Sequence, residues 1–422
     1  MRIVNLAGVF TGRGFSIKQG RYTKDDDCGF LKGPIGITCS RETGIIQGIG
    51  HLSVGDSLDE EILDGTGLFA TSGFIDSHTH AIHGGQRCSE YFMRWSGASY
   101  LDVAKYGGGI RKTISDTEML SDEELRSCLS NYLRDMLCCG TTTVEVKSGY
   151  ASTPDGELRL LRIIRGIRNL RNIPDVYATF LGLHAISDKI DERCYCDSMI
   201  EALPIISKEN LAIYIDAFAE KGNFSLEESI RFIRAGQSYG LKAKVHCDEF
   251  TDMVASEAFI KSNAISIDHL QKINRCAIDL LKDYPTVATL LPTTSFFLGI
   301  EYANARLLID SGVKLALATD FNPGTSPSLG FQLTNILAAS QMKMTAPEIF
   351  CGCTYNGAAA MGLADRYGTL EPGKVANIVL WQTLDKLPKG HGTSILEEII
   401  VSNIKPSMVI LHGDIIKTDS TL

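Results

Sequence analysis

Phe74-Ile75-Asp76-Ser77-His78-Thr79-His80 is the stretch on which the fold turns. On a β-strand successive side chains alternate between two faces, so His78 and His80 point the same way, roughly 6.5 Å apart along the chain. Both then reach one metal ion. On a helix the same i, i+2 pair would diverge. The pair makes chemical sense only as the end of a strand.

Working outward from that strand, short β-branched runs recur between helical patterns. They are Thr141 to Val146, Val176 to Phe180, Ala212 to Phe218, Leu241 to Val245, Ala264 to Ile267, Thr286 to Leu291 and Lys314 to Ala318. With the strand ending at Ile75 they make eight. Of the segments between them, the clearest helix opens on a capping box, Ser121-Asp-Glu-Glu124. It continues with Leu125, Leu129, Tyr132, Leu133, Met136 and Leu137 on one face. Eight strands alternating with helices predict an α/β fold of the (β/α)8 TIM-barrel type. A doubly wound open sheet is the alternative, because alternation alone does not prove closure. The strand ends favour the barrel: His78 and His80, Glu145 and Lys147, His184, Asp216, His246, His269 and Asp320 all fall at or just after them. In a barrel such ends converge on one mouth.

The flanks read differently. Short apolar runs separated by Gly and Asp in residues 1–68, and again at Asn377 to Trp381 and Met408 to Leu411, predict strands. The expected division is a composite β-sandwich domain from 1–68 and 369–422, with a barrel at 69–368. Asp25-Asp26-Asp27 reads as a solvated turn.

A chain of 422 residues buries a core without help from disulfides or a structural metal, so any metal here serves another purpose. The net charge of −9 is the wrong sign for a partner of nucleic acid. No run reaches the ~18 apolar residues of a membrane span, and the start of the chain lacks a signal-peptide pattern. Twelve cysteines without any C-x-x-C pair read as reduced, mostly buried thiols of a cytoplasmic protein.

His246, ending Lys242-Ala-Lys-Val-His, and Asp320, ending Leu315-Ala-Leu-Ala-Thr-Asp, complete a His3Asp set with His78 and His80. Three imidazoles and a carboxylate suit zinc or iron and leave room for a water whose pKa falls toward ~7. Hydrolysis is the natural use. Glu249, three residues beyond His246, is placed to shuttle a proton, with Asp248 as its local rival. His269 is placed to orient or deprotonate the same water.

These residues resemble the amidohydrolase superfamily. The longer phrases resemble its imidazolonepropionase family: Gly107-Gly-Gly-Ile, Gly140-Thr-Thr-Thr-Val-Glu-Val-Lys-Ser-Gly-Tyr150, Leu290-Leu-Pro-Thr and Ala318-Thr-Asp-Phe-Asn-Pro-Gly-Thr-Ser-Pro327. The resemblance spans most of 70–372, and the segment 386–422 departs from it. It implies hydrolysis of 4-imidazolone-5-propanoate to N-formimidoyl-L-glutamate in histidine degradation, at one divalent or trivalent metal per chain, zinc or iron. It also implies a homodimer. Carried over position by position, the metal ligands are His78, His80, His246 and Asp320. Glu249 and His269 move protons. Arg87, Tyr150, His184, Glu249, Asn322, Gly324 and Thr325 bind substrate. Arg87 offers a forked cation to the propanoate carboxylate, Tyr150 a second hydrogen bond, and His184 a donor that polarises the ring carbonyl. Asn322, Gly324 and Thr325 offer amide, backbone and hydroxyl partners beside Asp320. Two departures from the family pattern are Ser77, where Pro or Ala is usual, and His83, where an apolar aromatic is expected; His83 reads as a loop histidine.

Three rivals remain. A cytosine-deaminase-like enzyme would share the metal set but has no use for Arg87 and Tyr150, since its substrate carries no carboxylate. A binuclear variant would have Lys147 carbamylated. A silent binding protein on the same barrel would have no need of a full ligand set.

Overall fold

A computed structural model describes residues 1–51, 61–98, 107–186, 190–383 and 392–416. Of the segment departing from the family pattern, 386–391 and 417–422 therefore lie outside the described residues.

The chain begins with β1 (Arg2–Phe10), β2 (Phe30–Ser40), β3 (Ile45–Gly50), β4 (Ile62–Asp64) and β5 (Phe69–Ser72). The next eight strands are β6 (Phe74–Asp76), β7 (Thr141–Lys147), β8 (Asp175–Leu183), β9 (Tyr214–Ala219), β10 (Lys242–Cys247), β11 (Ser266–His269), β12 (Val287–Leu290) and β13 (Leu315–Leu317). β14 (Ile378–Trp381), β15 (Met408–Leu411) and β16 (Asp414–Ile416) follow.

Strands β6 to β13 pair in parallel in strict chain order, without the reversal that an open doubly wound sheet requires. The ring closes just past the first and last strands. Asp320 N–H donates to His78 O at 3.0 Å, His80 N–H donates to Phe321 O at 2.9 Å, and Thr79 and Phe321 form a parallel bridge. The chain is therefore an (β/α)8 barrel. The histidine pair stands beyond the hydrogen-bonded run of β6, yet this closure keeps its backbone extended.

Alternation within the barrel strands sends apolar side chains outward to the helices and polar ones inward. Along β7, Val144 and Val146 join the main hydrophobic core, while Glu145 and Lys147 meet each other inside the ring. The helix Asp122–Cys138 covers this wall. Its Ser121/Glu124 capping box is formed, and Leu125, Leu129, Leu133, Met136 and Leu137 are buried.

Both chain ends build the second sheet, in the order β16-β15-β14-β5-β1-β2-β3, with β4 on β1. Phe69–Ser72 pairs here, with β1 and β14, and the chain passes into the barrel at Gly73. Two local expectations change. Asp25–Cys28 is a 3-10 turn rather than a solvated turn throughout, because Asp27 is buried against Lys18 at 2.6 Å. The terminal region also contains a helix, Gly392–Val401, packed through Ile395, Leu396, Ile399 and Ile400. All twelve cysteines are free, but only six are buried, fewer than expected.

Candidate metal centre and active site

Residues from the two ends of the closed ring and from its far wall meet at the mouth. Nε2 of His80 lies 3.2 Å from Nε2 of His246. Oδ1 of Asp320 lies 3.5 Å from Nε2 of His78 and 3.4 Å from Nε2 of His80. The ligand atoms of the three histidines fall within 4.8 Å of one another, and all three side chains are buried.

What fixes the rings lies behind them. His78 Nδ1 donates to Asp268 Oδ2 at 2.6 Å, and His246 Nδ1 donates to Asp216, whose oxygens stand 3.0 and 3.1 Å away. A carboxylate behind Nδ1 places the proton there and turns the Nε2 lone pair forward. Burial, reinforced by the other cations around them, holds His78 and His80 well below the usual histidine range. Burial likewise takes His246 down to about 4, against the pull of Asp216. The imidazoles are neutral, the state ligation requires. His78 Nε2 has no hydrogen-bond partner although buried, and an unpartnered acceptor nitrogen crowded against a carboxylate is costly unless a cation joins it. The donor set fits a metal ion of the zinc or iron type. Thr294 Oγ1 donates to the second oxygen of Asp320 at 2.5 Å, fixing its plane.

Glu249 and His269 flank the cluster. His269 Nδ1 is 3.6 Å from Glu249 Oε1, and its ring centre is 5.2 Å from that of His246. Burial first, then Asp320 and Glu220, push the Glu249 carboxyl well up. Burial brings His269 down to about 3. His269 and Asp320 both adopt positive φ, 83° and 52°, conformations that non-glycine residues rarely take and that concentrate at functional sites. Asp248, the rival to Glu249, turns the other way. It receives the Ser256 hydroxyl at 2.5 Å and the Ser256 N–H at 3.2 Å, at the start of the helix Ala255–Lys261.

The proposed substrate residues gather at the same mouth. His184 stacks on His80 with ring centres 4.8 Å apart, and Tyr150 lies 5.3 Å from His184 and 5.8 Å from His80. One expected role changes. His184 Nδ1 lies 2.9 Å from Gly149 O, which can only accept, so Nδ1 carries the proton. Burial lowers the pKa of His184. The neutral ring therefore presents an acceptor at Nε2, suited to a ring N–H rather than to a carbonyl oxygen. Arg87 is also engaged: Nε and Nη2 hold Glu90 at 3.0 and 2.7 Å, and Nη1, which faces Gly324, reaches Thr113 Oγ1 at 3.5 Å. A Cβ at Gly324 would stand 2.0 Å from Nη1. Asn322, Gly324 and Thr325 bond largely to one another. The Asn322 amide receives Gly324 N–H at 2.8 Å and Thr325 N–H at 2.7 Å, and donates to Thr325 Oγ1 at 2.8 Å.

His83 stands apart from the ligand cluster. It is buried, stacked on Tyr132 at 5.1 Å, and 5.7 Å from Phe321, so it packs as an aromatic rather than as an exposed loop histidine. Lys147 holds Asp216 at 2.7 Å and Glu145 at 2.8 Å. These acids outweigh the effect of burial and raise its pKa. An ammonium clamped between two carboxylates is not the free amine that carbamylation requires, and this pairing argues against the carbamylated, binuclear alternative.

Sequence reasoning missed several supports. Glu157 accepts Gly149 N–H at 2.8 and 3.0 Å and Ala151 N–H at 2.9 Å, cradling the turn that carries Tyr150. Glu220 accepts Phe250 N–H at 2.9 Å and so braces the loop of Glu249. Nothing in one sequence marks these acids, although Glu157 sits in the first turn after the Thr153 cap, where a carboxylate is common.

Comparison with known proteins agrees with this geometry. The model of the amidohydrolase family matches residues 69–416. An imidazolonepropionase of Thermoanaerobacter pseudethanolicus is 40% identical over 356 residues, covering 83% of this chain and 86% of that protein. The imidazolonepropionase of Caldanaerobacter subterraneus subsp. tengcongensis is 42% identical over 340 residues, covering 80% and 81%. Among solved structures, a triazine hydrolase from Arthobacter aurescens superposes with a TM-score of 0.74 at 16% identity, covering 98% of this chain and 94% of that one. A 5-methylcytosine deaminase from Klebsiella pneumoniae liganded with 5-fluorocytosine reaches 0.71 at 16%, covering 99% and 97%. These two share the fold. The chain belongs to the amidohydrolase family and, within it, to the imidazolonepropionases.

Proposed function

We propose that the chain hydrolyses 4-imidazolone-5-propanoate to N-formimidoyl-L-glutamate. The observation that carries the reading is the convergence of His78, His80, His246 and Asp320 at one barrel mouth, with Glu249 and His269 beside them. Those four would hold one zinc or iron ion, which when bound would lower the pKa of a water and polarise a carbonyl.

The remaining chemistry belongs to side chains. Glu249 and His269 orient the attacking water toward the lactam carbonyl carbon, and Glu249 takes up its proton. The ring C–N bond breaks, and Glu249 returns the proton to the departing nitrogen. His184, with Nδ1 bonded to Gly149 O, accepts from a ring N–H and sets the ring's orientation. Arg87 and Tyr150 receive the propanoate carboxylate. Gly324 leaves space for the guanidinium, and Asn322 and Thr325 hold the turn that presents it. This anchor favours the reading over a deaminase of neutral bases. A cytoplasmic location and a homodimer go with it.

The test is turnover of 4-imidazolone-5-propanoate beside its decarboxylated analogue, with metal analysis of the same sample. Ring opening with a strong preference for the acid is expected. Release of ammonia from cytosine with no ring opening would overturn the reading.

A further inference from the structure

We propose that Lys147 is a positioning residue of the metal centre, locking Asp216 so that His246 presents Nε2 in one orientation. The proposal rests on the four-ligand reading above. Lys147 and Lys244 are among the largest fully buried side chains of the described residues, and both lie inside the barrel behind the histidines. A buried ammonium is expensive, and apolar residues of similar size would fill a barrel interior at less cost. Its placement therefore calls for a reason other than stability.

The geometry supplies one. Lys147 Nζ holds Asp216 Oδ2 at 2.7 Å, Asp216 Oδ1 accepts the backbone N–H of His246 at 3.2 Å, and the Nδ1–H of His246 faces both oxygens, 3.1 Å from Oδ1 and 3.0 Å from Oδ2. A carboxylate held at one oxygen can still rotate about its Cβ–Cγ bond. Held at both, it cannot. Lys147 is itself pinned from the other side by Glu145 at 2.8 Å, and Glu145 in turn receives the Thr179 hydroxyl. One chain of contacts thus crosses β8, β7, β9 and β10 and ends on Nδ1 of His246, the side of the ring opposite its Nε2. On the opposite wall Lys244 stands 3.8 Å from Asp268 Oδ2, which holds His78, a looser version of the same device.

The experiment uses the full chain, stripped of metal and titrated with Co2+. Two variants are compared with the wild type: Lys147→Gln, whose neutral amide ends one bond short of the ammonium position and cannot bridge Glu145 and Asp216 together, and Lys147→Met with Glu145→Gln, which removes the clamp and the acid behind it. Folding is followed by circular dichroism, and the centre by Co2+ affinity and the visible d–d spectrum. Loss of a group that orients a ligand lowers metal affinity about 10- to 100-fold. That fall, with a changed d–d band, is expected in every variant that folds. A folded variant with wild-type affinity and spectrum overturns the proposal. Failure of both variants to fold also overturns it, making Lys147 a residue of the fold. Undiminished Co2+ uptake by a His246→Ala variant would sink the metal-centre reading itself, a separate outcome.

Discussion

Oε1 of Glu249 and Nδ1 of His269 face each other across 3.6 Å in a buried corner of the barrel mouth. That separation exceeds a hydrogen bond, so neither group neutralises the other, and both can address one water. Glu249→Gln keeps the shape and removes the proton carrier. The expected result is a fall in kcat of about 10²- to 10⁴-fold with metal content unchanged. Steady-state kinetics with metal analysis checks it, and near wild-type kcat would exclude Glu249 as the carrier.

Asp248 gives the contrasting case. Its carboxylate binds Ser256 through both hydroxyl and N–H, so Asp248→Ala removes a helix-start contact. A loss of about 1 kcal/mol in stability is expected, with kcat within a few-fold of wild type. Denaturant melts beside kinetics separate the two neighbours.

Arg87 is tied to Glu90 through Nε and Nη2, and its Nη1 faces Gly324. Arg87→Lys keeps the charge but lacks the second edge that reaches past Glu90. KM for 4-imidazolone-5-propanoate should rise about 10- to 100-fold, the worth of a charge-assisted hydrogen bond, while the decarboxylated analogue is barely affected. Equal losses on both substrates would place Arg87 outside the carboxylate anchor.

Chelation should abolish turnover, and added zinc or iron(II) should restore it in protein that still carries His246. His246→Ala should retain little metal after dialysis, because it removes a ligand whose Nε2 lies 3.2 Å from that of His80. Whichever ion restores the higher kcat identifies the working metal.

The legible part of this molecule is the part that obeys a local period. Alternation at Phe74 to His80, and the recurrence of polar strand ends, bring His78, His80, His246 and Asp320 to one mouth in the sequence reading as in the structure, because a barrel brings strand ends together whatever their distance along the chain. The supports were not legible. Asp216, Asp268, Glu157 and Glu220 act through partners 30, 190, 8 and 30 residues away, and an acid facing a distant backbone N–H looks like any other acid. The resemblance implies a donor at His184. The Gly149 carbonyl, invisible in sequence, decides which nitrogen holds the proton. The helix Gly392–Val401 lies between the two runs that predict strands in the tail, and its short apolar run fits a strand equally well.

His83 gives a pH prediction of definite sign. Both ring nitrogens are buried, and burial takes the pKa down to about 4 from the ordinary 6.5, against the weaker pull of the Gly84 and Gly85 backbone. Between those values the unfolded chain binds a proton that the folded chain refuses, so stability is full above pH 6.5 and falls as pH drops toward 4. A shift of that size corresponds to about 3 kcal/mol at the acid end. Phenylalanine fits the same aromatic stack against Tyr132 and Phe321 without buried nitrogens. His83→Phe should therefore be at least as stable as wild type at pH 8. Between pH 6.5 and 4 it should lose less stability than wild type. The difference between the two curves isolates His83, because the other histidines of the mouth contribute to both. Denaturant melts at pH 8, 6 and 4.5 check it. Parallel acid limbs would mean that His83 takes up its proton in the folded protein as easily as in the unfolded one.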